Sequence, residues 1–110
     1  MKITVEELEA YLYGLYRERV DEQALFMKLV EELGEVAEVI NKRTGRKCAD
    51  GDDLRLQLAE ELADVIHYAA AIAAVNGIDL NEVILDKDKR ASAKYGRERS
   101  MESFITERRG

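Results

Sequence analysis

The chain has 110 residues, of which 46% are hydrophobic and 36% charged, and its formal net charge is −6 at pH 7. This length suits one domain that buries roughly two-thirds of its unfolded surface. The single cysteine, Cys48, excludes an intramolecular disulfide and a zinc site built from several cysteines. The acidic balance argues against a nucleic-acid partner. Because no signal-peptide pattern is found and the longest apolar run, residues 65–75, is too short to span a bilayer, we expect a cytoplasmic protein without a membrane partner.

The absence of proline and the positions of the glycines predict an all-α protein. Thr4 and Glu7 have the spacing of a capping box, which opens a first helix whose apolar stripe ends near residues 19–21. A second helix is predicted from about residue 21 to Arg43, with apolar residues over more than half of its circumference.

A glycine inside the second helix and a polar stretch after it interrupt this pattern. Gly34 indicates either the close approach of another helix or a ligand, or a simple helix irregularity. Residues 44–53 are polar and contain two glycines, so they are predicted to form a surface loop that carries Arg46 and Lys47.

The third helix is predicted to begin after Asp52 or Asp53 and to end at Gly77 as a left-handed cap. Residues 62–75 are apolar nearly all round. We therefore expect this helix to be the most buried element, shared between its own bundle and a second subunit.

A second capping box, Asp79 with Glu82, opens a fourth helix that is predicted to end near Tyr95, before Gly96. Residues 1–96 are therefore expected to form one helical domain, a bundle of four main helices that assembles as a dimer or tetramer. The remaining residues, 97–110, are a tail that either docks as a short helix or stays loose.

Two predicted helices carry paired acidic residues within apolar sequence. Glu32 and Glu35 lie one turn apart on the second helix, and Glu61 and Asp64 lie one turn apart on the third. Buried carboxylates are rare unless they are paired or bind metal. Facing each other, these four side chains can form an all-oxygen site for Mg²⁺ or Mn²⁺, which favours a phosphate-ester or nucleotide substrate.

Other interpretations of these carboxylates remain open. Glu31 and Glu60 are left for a second ion or for orienting water. A di-iron carboxylate site needs a Glu-x-x-His motif on each of two helices, and His67 is the only histidine in the sequence. The glutamates can also be the solvated faces of amphipathic helices, paired with cations such as Lys28.

The pattern Glu31-Glu32-x-x-Glu35 followed by Glu61-x-x-Asp64 resembles the EExxE…ExxD signature of the MazG-type all-α nucleoside triphosphate pyrophosphohydrolases. The resemblance covers roughly residues 24–96, and three segments carry it: KLVEELGEVAEVINK, LAEELADVIHYAAAIA and KDKRASAKYG.

The resemblance implies Mg²⁺-dependent cleavage of NTPs or dNTPs to the monophosphate and pyrophosphate, in a dimer or tetramer, as house-cleaning of the nucleotide pool. It makes Glu31 a catalytic residue that assists a further ion or the attacking water, and it makes four residues metal ligands: Glu32, Glu35, Glu61 and Asp64. The alternatives are a phosphoribosyl-ATP pyrophosphohydrolase and a non-catalytic metal-binding or structural bundle.

Seven further residues are candidates for substrate binding: Lys28, His67, Tyr68, Lys87, Lys89, Arg90 and Lys94. The basic residues of the fourth helix occupy the place of a Lys-x-x-Lys-Asn-like phosphate-contacting segment of relatives, but Asp88 interrupts the run and the asparagine is missing. Each candidate also has a structural interpretation. The lysines and Arg90 can be solvated or ion-paired, His67 can be a hydrogen-bonded core residue, and Tyr68 can belong to the core or an interface.

Overall fold

The computed structural model describes residues 1–18, 21–44 and 53–110. Within these ranges the secondary structure is entirely helical, which confirms the all-α prediction. The helices are α1 (Val5–Tyr16), α2 (Glu22–Thr44), α3 (Leu54–Val75), α4 (Leu80–Lys94) and α5 (Met101–Arg109). The predicted loop with Arg46 and Lys47, and the alternative cap Asp52, lie outside the described residues.

Side-chain caps begin the helices where the sequence predicts them. In the box that opens α1, the backbone N–H of Glu7 donates to Thr4 Oγ1 at 3.0 Å, and that of Thr4 donates to Glu7 Oε1 at 2.8 Å. Asp53 caps α3 and Asp79 caps α4, each by accepting a backbone N–H from three residues further on. These bonds satisfy N–H groups that lack a partner inside the helix.

The first helix is shorter than predicted, because α1 ends at Tyr16 rather than near residues 19–21. The Asp21 side chain accepts a hydrogen bond from the backbone N–H of Ala24 at 2.7 Å and so caps α2. A residue in that role takes a non-helical conformation, so α1 cannot run into α2. Residues 19 and 20 are outside the described part of the chain.

Gly77 ends α3 in the left-handed conformation that the sequence predicts, with φ of 67°. The N–H of Ile78 donates to the carbonyl of Ala73 at 2.9 Å, and the N–H of Gly77 donates to that of Ala74 at 3.1 Å, which is the Schellman arrangement. The chain turns sharply here, and α4 leaves α3 at an angle of 106°.

The α2 and α3 helices pack against each other and run antiparallel. Asn76, which caps the end of α3, donates from its side chain to Glu22 at the start of α2 at 2.7 Å. Further along, Glu32 meets Glu61 and Asp64. The antiparallel pairing is therefore what brings the two acidic motifs to the same level.

The core lies where α1 crosses the C-terminal half of α3. It consists of Leu12 from α1, Leu25 from α2 and three alanines of α3, Ala70, Ala71 and Ala74. Alanine side chains are small, so they allow the three helices to approach closely. The part of α3 that α1 does not contact is less buried.

The prediction that α3 is the most buried element therefore holds only for its C-terminal half. Towards the N-terminus, Leu62 is 44% exposed and Ile66 is 59% exposed. On α2, a Cβ built at Gly34 meets no atom within 4 Å. Among the described residues of the chain, no helix makes the close approach that Gly34 suggested.

The helices α4 and α5 form a second packing unit. The backbone N–H of Leu80 donates to Glu9 of α1 at 2.8 Å, which ties the start of α4 to α1. Asp88 of α4 accepts the backbone N–H of Met101 at 2.6 Å, and Arg97 lies 3.6 Å from its other carboxylate oxygen. The predicted tail thus contains a docked helix.

A membrane-span test was applied to the described helices. Taken singly, none of them is long and apolar enough to cross a bilayer; α3 and α4 pass only as a pair, bent by 106°.

Candidate metal centre

Three of the four predicted ligands converge between α2 and α3. One carboxylate oxygen from each of Glu32, Glu61 and Asp64 lies within 4.8 Å of the others. Glu32 is 9% exposed, Glu61 is half-buried and Asp64 faces solvent. The cluster therefore has an inner end between the helices and an outer end that is open to a ligand.

The inner oxygens of this cluster lack hydrogen-bond donors. Glu32 Oε2 and Glu61 Oε2 are buried, and no donor among the described residues reaches either atom. A buried carboxylate oxygen without a partner is costly. A proton shared between the carboxyl groups, a water molecule or a cation can satisfy these two atoms.

Glu35 completes the group from one turn further along α2. Hydrogen bonds with Glu61 and with Glu32 lower the pKa of Glu35, aided by the charge of Lys28. Its carboxylate accepts these bonds, so it remains ionised. The structure therefore places all four predicted ligands in one electrostatically coupled cluster, with Glu35 at its side.

Glu61 carries the proton of the cluster when no metal is bound. Its hydrogen bonds with Glu35 and Glu32, followed by burial and the charges of those two residues, raise its pKa from 4.5 to about 8. A hydrogen bond with Glu61 lowers the pKa of Glu32. Burial, together with Glu35 and Asp64, raises it by more, so the pKa of Glu32 is raised overall. Like charges at close range are the common cause.

Glu31 does not join the convergent group. Its side chain is exposed and lies 3.6 Å from the ammonium group of Lys28, one turn earlier on α2. Lys28 also acts on the pKa of Glu35 through its charge. The structure thus pairs Lys28 with Glu31 at the edge of the cluster.

His67 lies one turn beyond Asp64 on α3 and contacts Tyr16 of α1. Its Nε2 is 2.7 Å from the hydroxyl of Tyr16, and the rings of Tyr16 and Tyr68 meet it edge to face. Burial, then Tyr68, raise the pKa of Tyr16 above 10. The sequence does not identify Tyr16 as a site residue, because no local pattern reveals a partner 51 residues away.

The remaining candidates lie on α4, which packs on α1 and α5. Arg90 pairs with Asp86 at 3.0 Å, and the Lys94 ammonium lies 5.4 Å from the centre of the Tyr95 ring. Lys87 and Lys89 are exposed. The described structure therefore does not bring these basic residues to the carboxylates within one chain.

A comparison with known protein families identifies the family of this chain. A family model described as the MazG nucleotide pyrophosphohydrolase domain matches residues 20–96, which is more than half of the chain. The chain belongs to this family. A comparison with curated proteins gave no match.

Membership of the MazG family confirms the predicted resemblance and implies a nucleotide substrate. The match covers α2, α3 and α4 and ends before α5. Both acidic motifs lie within it. The roles of the individual residues stay predictions.

The donor set of this MazG domain fits a hard divalent cation. All of its ligand atoms are carboxylate oxygens, the atoms preferred by Mg²⁺ and Mn²⁺. Glu32 Oε2 and Glu61 Oε2 are buried, and no donor from the described part of the chain reaches them. The open side at Asp64 leaves room for water and for oxygens of a substrate.

Proposed function

We propose that the protein is a Mg²⁺-dependent nucleoside triphosphate pyrophosphohydrolase, which converts an NTP or dNTP to the monophosphate and pyrophosphate. The observation that carries this proposal is the convergence of Glu32, Glu61 and Asp64 in a member of the MazG family, with two buried oxygens of the cluster that find no donor among the described residues. A phosphate chain is itself an oxygen ligand for the same ion.

Glu32, Glu35, Glu61 and Asp64 would hold the ion, and Mn²⁺ is an expected substitute for Mg²⁺. When bound, the cation supplies positive charge for the phosphate chain and makes water more acidic. The ligands must be ionised to bind it, so Glu61 has to release its proton first. The protein side of the site is thus a set of fixed negative charges that attracts a cation before it attracts an anionic substrate.

Hydrolysis adds one water molecule across a phosphoanhydride bond, so a group must accept a proton from that water. Glu31 is the proposed base, because it is an ionisable carboxylate that is exposed beside the cluster rather than part of it. Lys28, its partner at 3.6 Å, is the nearest candidate to contact a phosphate. On substrate binding, Lys28 would exchange the Glu31 carboxylate for a phosphate oxygen and free Glu31 to act.

The decisive experiment measures pyrophosphate release from a panel of NTPs, dNTPs and phosphoribosyl-ATP, with Mg²⁺ and with chelator. We expect release only with the metal, and a loss of at least about 100-fold in kcat for Asp64→Asn, because one ligand is removed. Glu38→Gln is the matched control: Glu38 is an exposed acid on α2 that pairs with Lys42, outside the cluster. It should retain wild-type activity.

Two outcomes of this assay would reject the proposal. Turnover of phosphoribosyl-ATP alone would assign the protein to the alternative reaction in the same enzyme class. Metal binding without turnover of any substrate in the panel, by folded protein, would leave a non-catalytic metal-binding bundle. The cytoplasmic location and the house-cleaning role remain predictions that this assay does not address.

A further inference from the structure

A groove lies between the start of α1 and the helices α4 and α5. Its volume is about 610 Å³, within the range of roughly 300–1,000 Å³ that is typical of sites for small ligands. This groove, called the α5 groove, has an apolar floor that consists of Ile3, Val5, Ile84, Leu85, Met101 and Ile105.

The α5 groove is separate from the metal centre. Its lining residues lie at the start of α1 or on α4 and α5, whereas the carboxylates of the metal centre lie on α2 and α3. Of the lining residues, those of α4 fall within the range 20–96 that the family model matches, and the others fall outside it. The groove is thus built mainly from parts of the chain that lie outside the MazG match.

The floor of the α5 groove leaves large apolar side chains exposed. Ile3 is 68% exposed, Ile84 is 40% exposed and Met101 is 37% exposed. An apolar ligand in the groove removes this surface from water, which is favourable. Asn81 and Thr106 also line the groove, and no hydrogen bond to another described residue engages their side chains. An amide and a hydroxyl both donate and accept, so they suit the peptide groups of a ligand.

Opposite charges lie along the α5 side of the groove. Glu102 and Arg109 both line it and are seven residues apart on α5, which is about two helical turns. Their side chains therefore leave the same side of the helix, from backbone positions about 10.5 Å apart. Between them the groove is lined by Ile105 and Thr106, which are uncharged. The groove thus has a negative end, an apolar middle and a positive end.

Both charged ends are available to a ligand. In the described part of the chain neither Glu102 nor Arg109 has an ion-pair partner. Glu107, the acidic residue nearest to Arg109 in the sequence, pairs instead with Arg99 at 2.6 Å. Glu6 of α1 adds a second carboxylate to the lining of the groove. A ligand with a cationic end and an anionic end therefore complements the groove better than a ligand with one charge.

We propose that the α5 groove binds a short apolar peptide of about three residues, with its ammonium group at Glu102 and its carboxylate at Arg109. An extended chain covers about 3.3–3.6 Å per residue, so three residues span about 10 Å, the separation of the two charged positions. A guanidinium group binds a carboxylate through two parallel hydrogen bonds. The apolar side chains of the peptide cover Ile84 and Met101.

Isothermal titration calorimetry of the full chain with trileucine tests the positive end of the groove. We expect Arg109→Gln to raise the dissociation constant at least about tenfold, because a charge-assisted contact with the carboxylate is lost. Arg108→Gln is the matched control, since Arg108 is also an exposed arginine in the last turn of α5 but does not line the groove. Unchanged affinity in Arg109→Gln, or an equal loss in both variants, would overturn the proposal.

Modified peptides test which end of the peptide meets which residue. Amidation of trileucine removes its carboxylate, which should cost the wild-type protein about tenfold in affinity and cost Arg109→Gln nothing further. Acetylation removes the ammonium group and should cost Glu102→Gln less than the wild type, with Glu98→Gln, an exposed acid outside the groove, as the control. The same losses in the variants as in the wild type would contradict the assigned orientation and overturn the proposal.

Two further probes test the chemical class of the ligand. Triglycine has both charged ends without apolar side chains, and octanoate has an apolar chain and a carboxylate without an ammonium group. Each should bind at least about tenfold more weakly than trileucine. Octanoate binding as tight as trileucine, or no binding of trileucine by the folded protein, would overturn the proposal. All titrations omit metal and nucleotide, so their result does not depend on the proposed hydrolase activity.

Discussion

Glu61 is the residue whose ionisation the fold changes most. Its pKa of about 8, against 4.5 in the unfolded chain, means that the folded, metal-free protein holds a proton that the unfolded chain has lost. The stabilisation is complete below pH 4.5 and is lost as the pH rises to 8. The pKa of Glu32 is also raised, whereas the pKa of Glu35 is lowered, so Glu35 changes the stability only at acid pH.

We therefore expect the thermal midpoint of the metal-free protein to fall as the pH rises from about 4.5 to 8. Glu61→Gln should remove most of this dependence, because glutamine donates a hydrogen bond without titrating. Thermal unfolding in chelator across that range measures the effect, with Glu60→Gln, an exposed neighbour, as the control. The same slope in Glu61→Gln and wild type would show that the proton is held elsewhere.

We expect the same substitution to have opposite effects on stability at two glycines. Gly77 has φ of 67° at the end of α3, where a Cβ is strained, so Gly77→Ala should destabilise the protein by about 1 kcal/mol. Gly14 lies inside α1 with no atom within 4 Å of a built Cβ, so Gly14→Ala should stabilise it by about 0.5–1 kcal/mol. Denaturant unfolding of both variants measures the difference.

The physical reason for the contrast is that one glycine is required by its backbone conformation and the other is not. Each variant is the control for the other, because the change in side chain is identical. Destabilisation by both variants would mean that α1 needs Gly14 for a contact outside the single chain.

Asp88 explains one departure from the basic pattern of α4. At the position where it interrupts the basic residues of α4, this side chain accepts the backbone N–H of Met101 and pairs with Arg97, and so fastens α5 to α4. We expect Asp88→Ala to accelerate amide hydrogen exchange in α5 without changing it in α2 and α3. Asp86→Ala, two residues away on the exposed side of α4, is the control. Unchanged exchange in α5 would mean that apolar packing alone holds it.

The whole molecule carries a net charge of −6, and part of that charge is concentrated in one cluster. A cation that binds only the folded protein stabilises it by mass action, by about 2.7 kcal/mol at 100 times its dissociation constant. We expect Mg²⁺ to raise the thermal midpoint of the wild-type protein, and this rise to be absent in Asp64→Asn. Calorimetry at constant ionic strength separates the effect from general screening. An equal rise in both proteins would locate the cation outside the cluster.

At the level of the helices, the sequence by itself determined most of what is seen. Thr4, Asp53, Asp79 and Gly77 act through hydrogen bonds and backbone conformations that span three to five residues, so their effect can be read locally. The same holds for the spacing that puts Glu32 and Glu35, or Glu61 and Asp64, on one side of a helix.

Only the tertiary structure decided how these local elements combine. The bond between His67 and Tyr16, and the separation of Glu31 from the convergent carboxylates, depend on residues far apart in the chain or on neighbouring side chains. Apolar periodicity also predicts which face of a helix packs against another element, but it does not predict which element that is. Leu62 and Ala70 belong to the same apolar stretch of α3, yet Ala70 lies in the core beside α1 whereas Leu62 is 44% exposed.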